Sequence, residues 1–184
     1  MDFENQIIPA NSNSNFQNTN GGKTLHQGIE GGLGYRLAGG FTVEANATYI
    51  PVAEFVGNRF AADGVTITTP DGNRVTYTPE LVANLGLGYE VGSLKTLLSA
   101  NYTGSQYTDV QNSKAIQENT SGFFTGQIDA YTTVDLSARY AVTGDLDVFG
   151  SVKNLTDELY VASLRQGIYV GPERSVEMGL RYQF

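Results

Sequence analysis

The sequence contains no cysteine and no tryptophan, a single histidine, and no apolar run approaching the length of a membrane-spanning helix. The first absence removes disulfide frameworks, thiolate metal sites and cysteine nucleophiles. With His26 alone, two-histidine metal motifs are excluded and any Ser-His-Asp arrangement has one candidate base. Basic residues are scarce as well: 11 Lys and Arg stand against 19 Asp and Glu, for a net charge of −8. Nucleic acid as a partner is excluded on that ground, because phosphate contacts need a basic face. The start, Met-Asp-Phe-Glu-Asn-Gln-Ile-Ile-Pro, shows neither the basic opening nor the apolar stretch of a signal peptide, and reads as an internal segment.

What is present is glycine, 22 of 184 residues, and strict alternation of apolar and polar side chains. Alternation sends successive residues to opposite faces of a strand. From Thr24 to Leu37 the odd positions Leu25, Ile29, Leu33, Tyr35 and Leu37 are apolar, against Thr24, His26, Glu30 and Arg36. Phe41 to Tyr49 repeats the pattern, as do runs through 81–90, 94–103, 132–142, 146–154 and 176–184, with a partial strand over roughly 2–8. The expected fold is therefore all-β, an antiparallel up-and-down meander of about eight strands. The seven full runs hold eleven charged residues, from Glu30 to Arg181, and all eleven fall on the polar parity. Two faces sorted this completely meet different solvents.

The connections alternate too. Short turns at Ala38-Gly39-Gly40, Gly92-Ser93 and Thr143-Gly144-Asp145 face long loops over 10–22, 51–79, 104–130 and 155–172. Short turns on one rim and long loops on the other are the asymmetry of outer-membrane barrels. Tyr35, Phe41, Tyr89, Tyr140 and Tyr182 lie on the apolar face beside the turns, and Tyr49 and Tyr102 on that face near the loops. Such banding is what two membrane interfaces select. A soluble sandwich or ligand-binding barrel would share the alternation, but it does not call for aromatic bands or for glycine gathered on the polar parity.

Four motifs carry a family resemblance. Asn20-Gly-Gly-Lys-Thr-Leu-His-Gln-Gly-Ile-Glu30, Tyr77-Thr-Pro-Glu-Leu-Val-Ala-Asn-Leu-Gly86, Val152-Lys-Asn-Leu-Thr-Asp-Glu-Leu-Tyr160 and the closing run to Phe184 resemble, in that order, strand motifs of the TonB-dependent outer-membrane receptors. The first is most similar to ferric-citrate and related siderophore receptors. The resemblance implies that residues 1–184 are the C-terminal portion of a 22-stranded transmembrane barrel, without the plug domain and without a signal peptide. The alternative is closure as a small eight-stranded barrel with a structural or adhesive role. It further implies a Gram-negative outer membrane with loops outside and short turns and C-terminus in the periplasm. The implied partners are membrane lipid, a ferric siderophore, the barrel-assembly machinery reading Phe184, and TonB only through the missing plug.

No enzyme, cofactor or metal site is expected. Asp157 and Glu158 read as a solvated turn, and no spacing joins Ser99 or Ser137 to His26. The charge outside the strands is acidic and would repel a free anion. If an anionic chelate is bound, the cations available in the loops are Arg59, Arg74, Lys114 and Arg165, with His26 on the lumen parity near the same rim. The stretch 65–69 is expected to extend strands above the membrane, with Asp71-Gly72 as its turn.

Overall fold

The structure, a computed structural model, describes the backbone of residues 2–3, 7–12, 15–20, 22–61 and 64–184, and side chains from residue 22 onward. Alternation becomes one antiparallel sheet: β1 (Asp2–Phe3), β2 (Lys23–Arg36), β3 (Phe41–Val56), β4 (Leu81–Val91), β5 (Leu94–Thr103), β6 (Tyr131–Ala141), β7 (Leu146–Lys153) and β8 (Ser175–Tyr182). Spatial order equals chain order, which is the up-and-down meander. The partial strand expected over 2–8 is corrected. Only Asp2–Phe3 joins the sheet, against Leu25 and Thr24, while Ile7–Ser12 forms a hairpin with Asn15–Asn20. Residues 4–6 of that expected strand lie outside the described residues.

Register fixes which side chains share a face. Leu33, Ala45, Leu85, Ala100 and Val134 form one continuous row across five strands, and Tyr35, Val43, Leu87, Leu98, Leu136, Val152 and Val176 another across seven. These rows belong to the outer face. They are widely exposed: Leu33 at 67%, Leu85 at 54% and Val176 at 65%. The opposite face carries Gly32, Asn46, Asn84, Asn101 and Thr133 in one row, and Glu90, Lys95, Arg139 and Phe149 in another. All eleven charged residues of the runs lie on this face, so the sheet separates apolar surroundings from wet ones. Phe41 against Tyr89, ring centroids 4.5 Å apart, and Tyr182 near Phe184 mark the short-turn end of the apolar band.

The sheet has almost no interior of its own. Among the described residues the buried side chains are Ala53, Phe55, Ile128, Leu164, Thr24, Thr69 and Asn154, all at the long-loop end. A wall whose packing partner is lipid on one face and water on the other needs no central core.

β3 is longer than alternation indicates. Its outward parity, Phe41 to Tyr49, is broken by a bulge at Ile50-Pro51, opposite Gly28: Gln27 pairs with Val52 but Ile29 with Tyr49. Proline suits a bulge because its missing N–H is not asked for there. Gly28 suits it because a Cβ would lie 2.5 Å from the Tyr49 carbonyl oxygen. Beyond the bulge the faces exchange. Ala53 and Phe55 pair with His26 and Thr24 and turn inward to be buried, while Glu54 pairs with Leu25 on the outer side. The membrane-facing stretch ends at Tyr49, and the loop expected from residue 51 starts as strand.

The sheet is open. β2 and β8 both run from the long-loop rim to the short-turn rim, so pairing them directly would make a parallel contact. Beyond the two residues of β1, the outer edge of β2 has no ladder partner among the described residues, and neither has that of β8. Unpaired edges in hydrocarbon cost several kcal/mol per group, so in a membrane both need further strands. Eight-strand closure is absent among the described residues. Lipid-face substitution tests the sidedness: Leu85→Arg, at mid-height on the outer face, should cost about 2–4 kcal/mol of folding in bilayers. Ser99→Lys, on the wet face across from Asp135, should be tolerated. Heat-modifiable migration of the membrane-inserted protein reads both.

Candidate functional site

All long connections meet at one rim, and they are folded. Arg59–Phe60 pairs with Ile67–Thr69, Gln106–Tyr107 with Gln127–Ile128, Gln117–Glu118 with Phe124–Thr125, and Val161–Leu164 with Ile168–Val170. The expected extension over 65–69 is present as Ile67–Thr69, and the chain then turns at Asp71-Gly72 to run back beside β3, with Phe55 N–H donating to the Asn73 carbonyl at 2.9 Å and Val75 N–H to that of Ala53 at 2.8 Å. Of the stretch 10–22 expected as a long loop, residues 10–12 and 15–20 belong to the hairpin of Ile7–Ser12 with Asn15–Asn20.

The four loop cations have different surroundings. Arg74 is occupied by main chain: its guanidinium donates to the carbonyls of Ile50 at 2.7 Å, Pro51 at 3.3 Å and Thr78 at 2.8 Å. It thereby holds the carbonyls of the β3 bulge, which the ladder cannot satisfy. Arg59 lies over the Phe55 ring at 4.4 Å and donates to the Lys23 carbonyl at 3.3 Å, and burial holds its pKa below the ordinary value. Its Nε and Nη1 are buried without a hydrogen-bond partner. Lys114 and Arg165 are exposed, and among the described residues neither side chain has a protein partner. Their backbones flank a single segment, Phe124 N–H donating to the Arg165 carbonyl at 2.6 Å and Gln127 N–H to that of Lys114 at 3.4 Å. The structure thus places two of the expected cations, from two different loops, beside the segment 124–127 and sets Arg59 and Arg74 into the fold beside β3.

His26 faces the lumen side just above the bulge, paired with Ala53. Burial holds its imidazole below the ordinary 6.5, and nearby positive charge including Arg74 adds to the effect. The folded rim therefore binds this proton less readily than the unfolded chain. Its contribution is intact above pH 6.5 and is lost as pH falls through the depressed folded value. Rim stability, followed by protease cleavage of the loops, should drop on acidification below pH 6.5, and His26→Gln should flatten that drop.

Asn154 is a residue that alternation does not single out. It is 4% exposed with φ of 50°. Its amide donates to the carbonyls of Glu158 at 2.9 Å and Pro172 at 3.0 Å, and its side-chain oxygen accepts from Glu158 N–H at 2.9 Å. Tyr160, six residues on, stacks on Tyr131 at 4.0 Å and covers Gly171 so closely that a Cβ there would overlap the ring. Asn-Leu-x-x-x-x-Tyr is therefore a structural clamp closing the base of the last loop. Asn154→Ala strands those buried groups and should cost about 2 kcal/mol, seen as protease cleavage within 155–174 while the barrel still migrates as folded.

Below the rim the lumen face carries a hydrogen-bonded amide line. Asn84 Nδ2 donates to Asn101 Oδ1 at 2.6 Å, Asn101 Nδ2 to Asp135 at 3.5 Å, and Lys153 reaches the same carboxylate at 3.4 Å. Lys95 pairs with Glu90 at 2.7 Å, and Arg139 with Asp147. Such exposed pairs add little stability, and they leave Arg36 and Arg181, exposed on the same face, as the strand cations without a side-chain partner among the described residues. No group of side chains suited to a metal occurs among the described residues, and no helix there is long and apolar enough to cross a membrane.

A family model described as TonB dependent receptor-like, beta-barrel matches residues 1–155. The chain belongs to the TonB-dependent receptors. This is a family of receptors and transporters, not of enzymes. A vitamin B12 transporter, BtuB of Photobacterium profundum, is 38% identical over 87 residues, which are 47% of this chain and 12% of that protein. In fold, the chain is similar to the unliganded ferric citrate transporter FecA, with a TM-score of 0.72 at 24% identity over 98% of this chain and 27% of the other. It is similar also to the siderophore receptor PiuA of Acinetobacter baumannii, TM-score 0.69 at 24% identity over 91% and 23%, and to the ferric yersiniabactin receptor FyuA of Yersinia pestis, 0.70 at 22% over 100% and 26%. The chain thus spans about a quarter of these solved receptors and an eighth or less of the transporter it matches in sequence. As a TonB-dependent barrel segment it belongs in an outer membrane.

Proposed function

We propose that this chain is the C-terminal stretch of barrel wall in a TonB-dependent receptor that takes up a ferric siderophore, ferric citrate included in the class. The observation that carries this is the two-faced open wall with every long connection on one rim. In this reading the long loops face the cell exterior and capture the chelate, the short turns and C-terminus face the periplasm, and the wall lines the passage. TonB acts through a plug that is not part of residues 1–184. Phe184, fully exposed after β8, is proposed as the feature that the barrel-assembly machinery reads.

Lys114 and Arg165 are the proposed contacts for an anionic chelate, because they are the loop cations free of protein partners among the described residues. Arg59, Arg74 and His26 support the rim behind them. A second reading, corrinoid uptake, is favoured by the similarity to the vitamin B12 transporter over 87 residues and by the acidic charge outside the strands, which suits a ligand without negative charge. Uptake by the whole receptor separates the two: radiolabelled ferric citrate should accumulate under TonB energisation and cyanocobalamin should not. Combined Lys114→Ala and Arg165→Ala should weaken ferric citrate binding at least tenfold, since a charged hydrogen bond contributes about 1.5–3 kcal/mol. Binding unaffected by the pair overturns the two cation contacts, and cyanocobalamin uptake alone sinks the siderophore reading.

A further inference from the structure

Three of the long loops are tied together by bonds that belong to none of their own hairpins. The loop after β3 and the loop after β5 meet at Asn112, whose side-chain amide pairs with the main chain of Arg74 in both directions: Arg74 N–H donates to Asn112 Oδ1 at 2.6 Å and Asn112 Nδ2 donates to the Arg74 carbonyl at 2.9 Å. This is the exchange a neighbouring strand would make, performed by one side chain. Flanking bonds repeat the contact, Asn73 Nδ2 to the Val110 carbonyl at 2.8 Å and Gln111 Nε2 to that of Thr68 at 2.6 Å. Tyr77 makes a second tie. Its N–H donates to the Tyr107 carbonyl at 2.8 Å and its hydroxyl to the Leu164 carbonyl at 2.7 Å, so one residue of the loop after β3 holds the loops after β5 and β7.

The backbone at both ties is unusual. Tyr77 has φ of 53° and Asn112 of 55°. A left-handed conformation is tolerated by asparagine but rare for a bulky aromatic, and it persists only where the surroundings over-determine it. At Tyr77 the over-determination is visible: the main chain is fixed to one loop and the ring carries the hydroxyl to another.

We infer that Asn112 and Tyr77 are positioning residues that weld three loops into one rim body. The rim then presents Lys114 and Arg165 at a fixed spacing before any ligand arrives. Only this last consequence rests on the siderophore reading; the weld stands without it. Loop closure over a ligand, where it occurs, has to move the welded loops together, or come from segments beyond the ties.

The absence of cysteine from residues 1–184 gives a direct test in the membrane-inserted receptor, with any cysteine elsewhere in it replaced. Spin labels on Phe60→Cys, Ser121→Cys and Gln166→Cys report pairwise distances between the three loops. With the weld intact each distribution is narrow. Asn112→Ala should at least double the width of the 60–121 distribution, Tyr77→Phe that of 60–166, and Asn112→Asp should recover part of the former by keeping the acceptor for Arg74 N–H. The 121–166 pair, held by the Phe124 to Arg165 bond, should stay narrow throughout, as should heat-modifiable migration. Unchanged distributions in the combined Tyr77→Phe and Asn112→Ala variant overturn the inference, and broadening of the 121–166 pair to the same extent overturns it too, since that is general loosening. No ligand is added, so failure of the siderophore reading leaves the result standing.

Discussion

Inside hydrocarbon no water is present to pair with a backbone N–H or C=O, and everything in this chain follows from that. Strands are usable there only when each has neighbours on both sides. The seven long strands are joined through short turns or loops into ladders that run nearly their full length, and the apolar parity is turned wholly outward. Stability then comes from the ladder and from lipid contact instead of an interior, which is why the few buried side chains gather above the apolar band. The same constraint makes the open edges of β2 and β8 the places where further strands would have to pair in a membrane.

The long-loop rim obeys the opposite condition. Water is available, so loops could remain unpaired, yet they are extensively bonded to one another. Asn154, Asn112 and Arg74 each offer several hydrogen-bonding groups to main chain that lies between ladders. They do at the rim what strand neighbours do in the wall. Polar side chains are therefore divided by height: those in the wall line a wet surface and bind one another, while those at the rim hold backbone.

The strands were legible because a single physical cause, two solvents on two faces, writes itself into every second residue from Leu25 to Tyr182. In the full runs other than β3 the strand bounds depart from the alternation by no more than a residue or two. β3 is the exception: at Ile50-Pro51 the parity inverts, so a reading by alternation ends where the ladder merely changes face. Pro51 inside a run that resumes as Val52-Ala53-Glu54-Phe55 was the signal. The loop hairpins were hidden for another reason. Apart from the six-residue strands over 7–20 and the stretch read at 65–69, their strands are two to four residues long, too short for a period, and they are held by side-chain bonds with no spacing rule. Nor could the sequence sort the cations: Arg74 and Arg165 look alike until one is seen to be filled by three carbonyls and the other left in solvent.

The bulge in β3 also has a bearing on how such a wall can diversify. Below it, registry is locked, since a one-residue slip would carry every side chain to the wrong solvent. Above it, the extra residue has already broken the count, and Gly28 with Arg74 fixes the break in place. Insertions and deletions on the far side are absorbed there before they reach the wall. The rim can thus be rewritten in length and chemistry while the thickness of the apolar belt stays constant, so that change above the bulge need not alter the fit to a membrane.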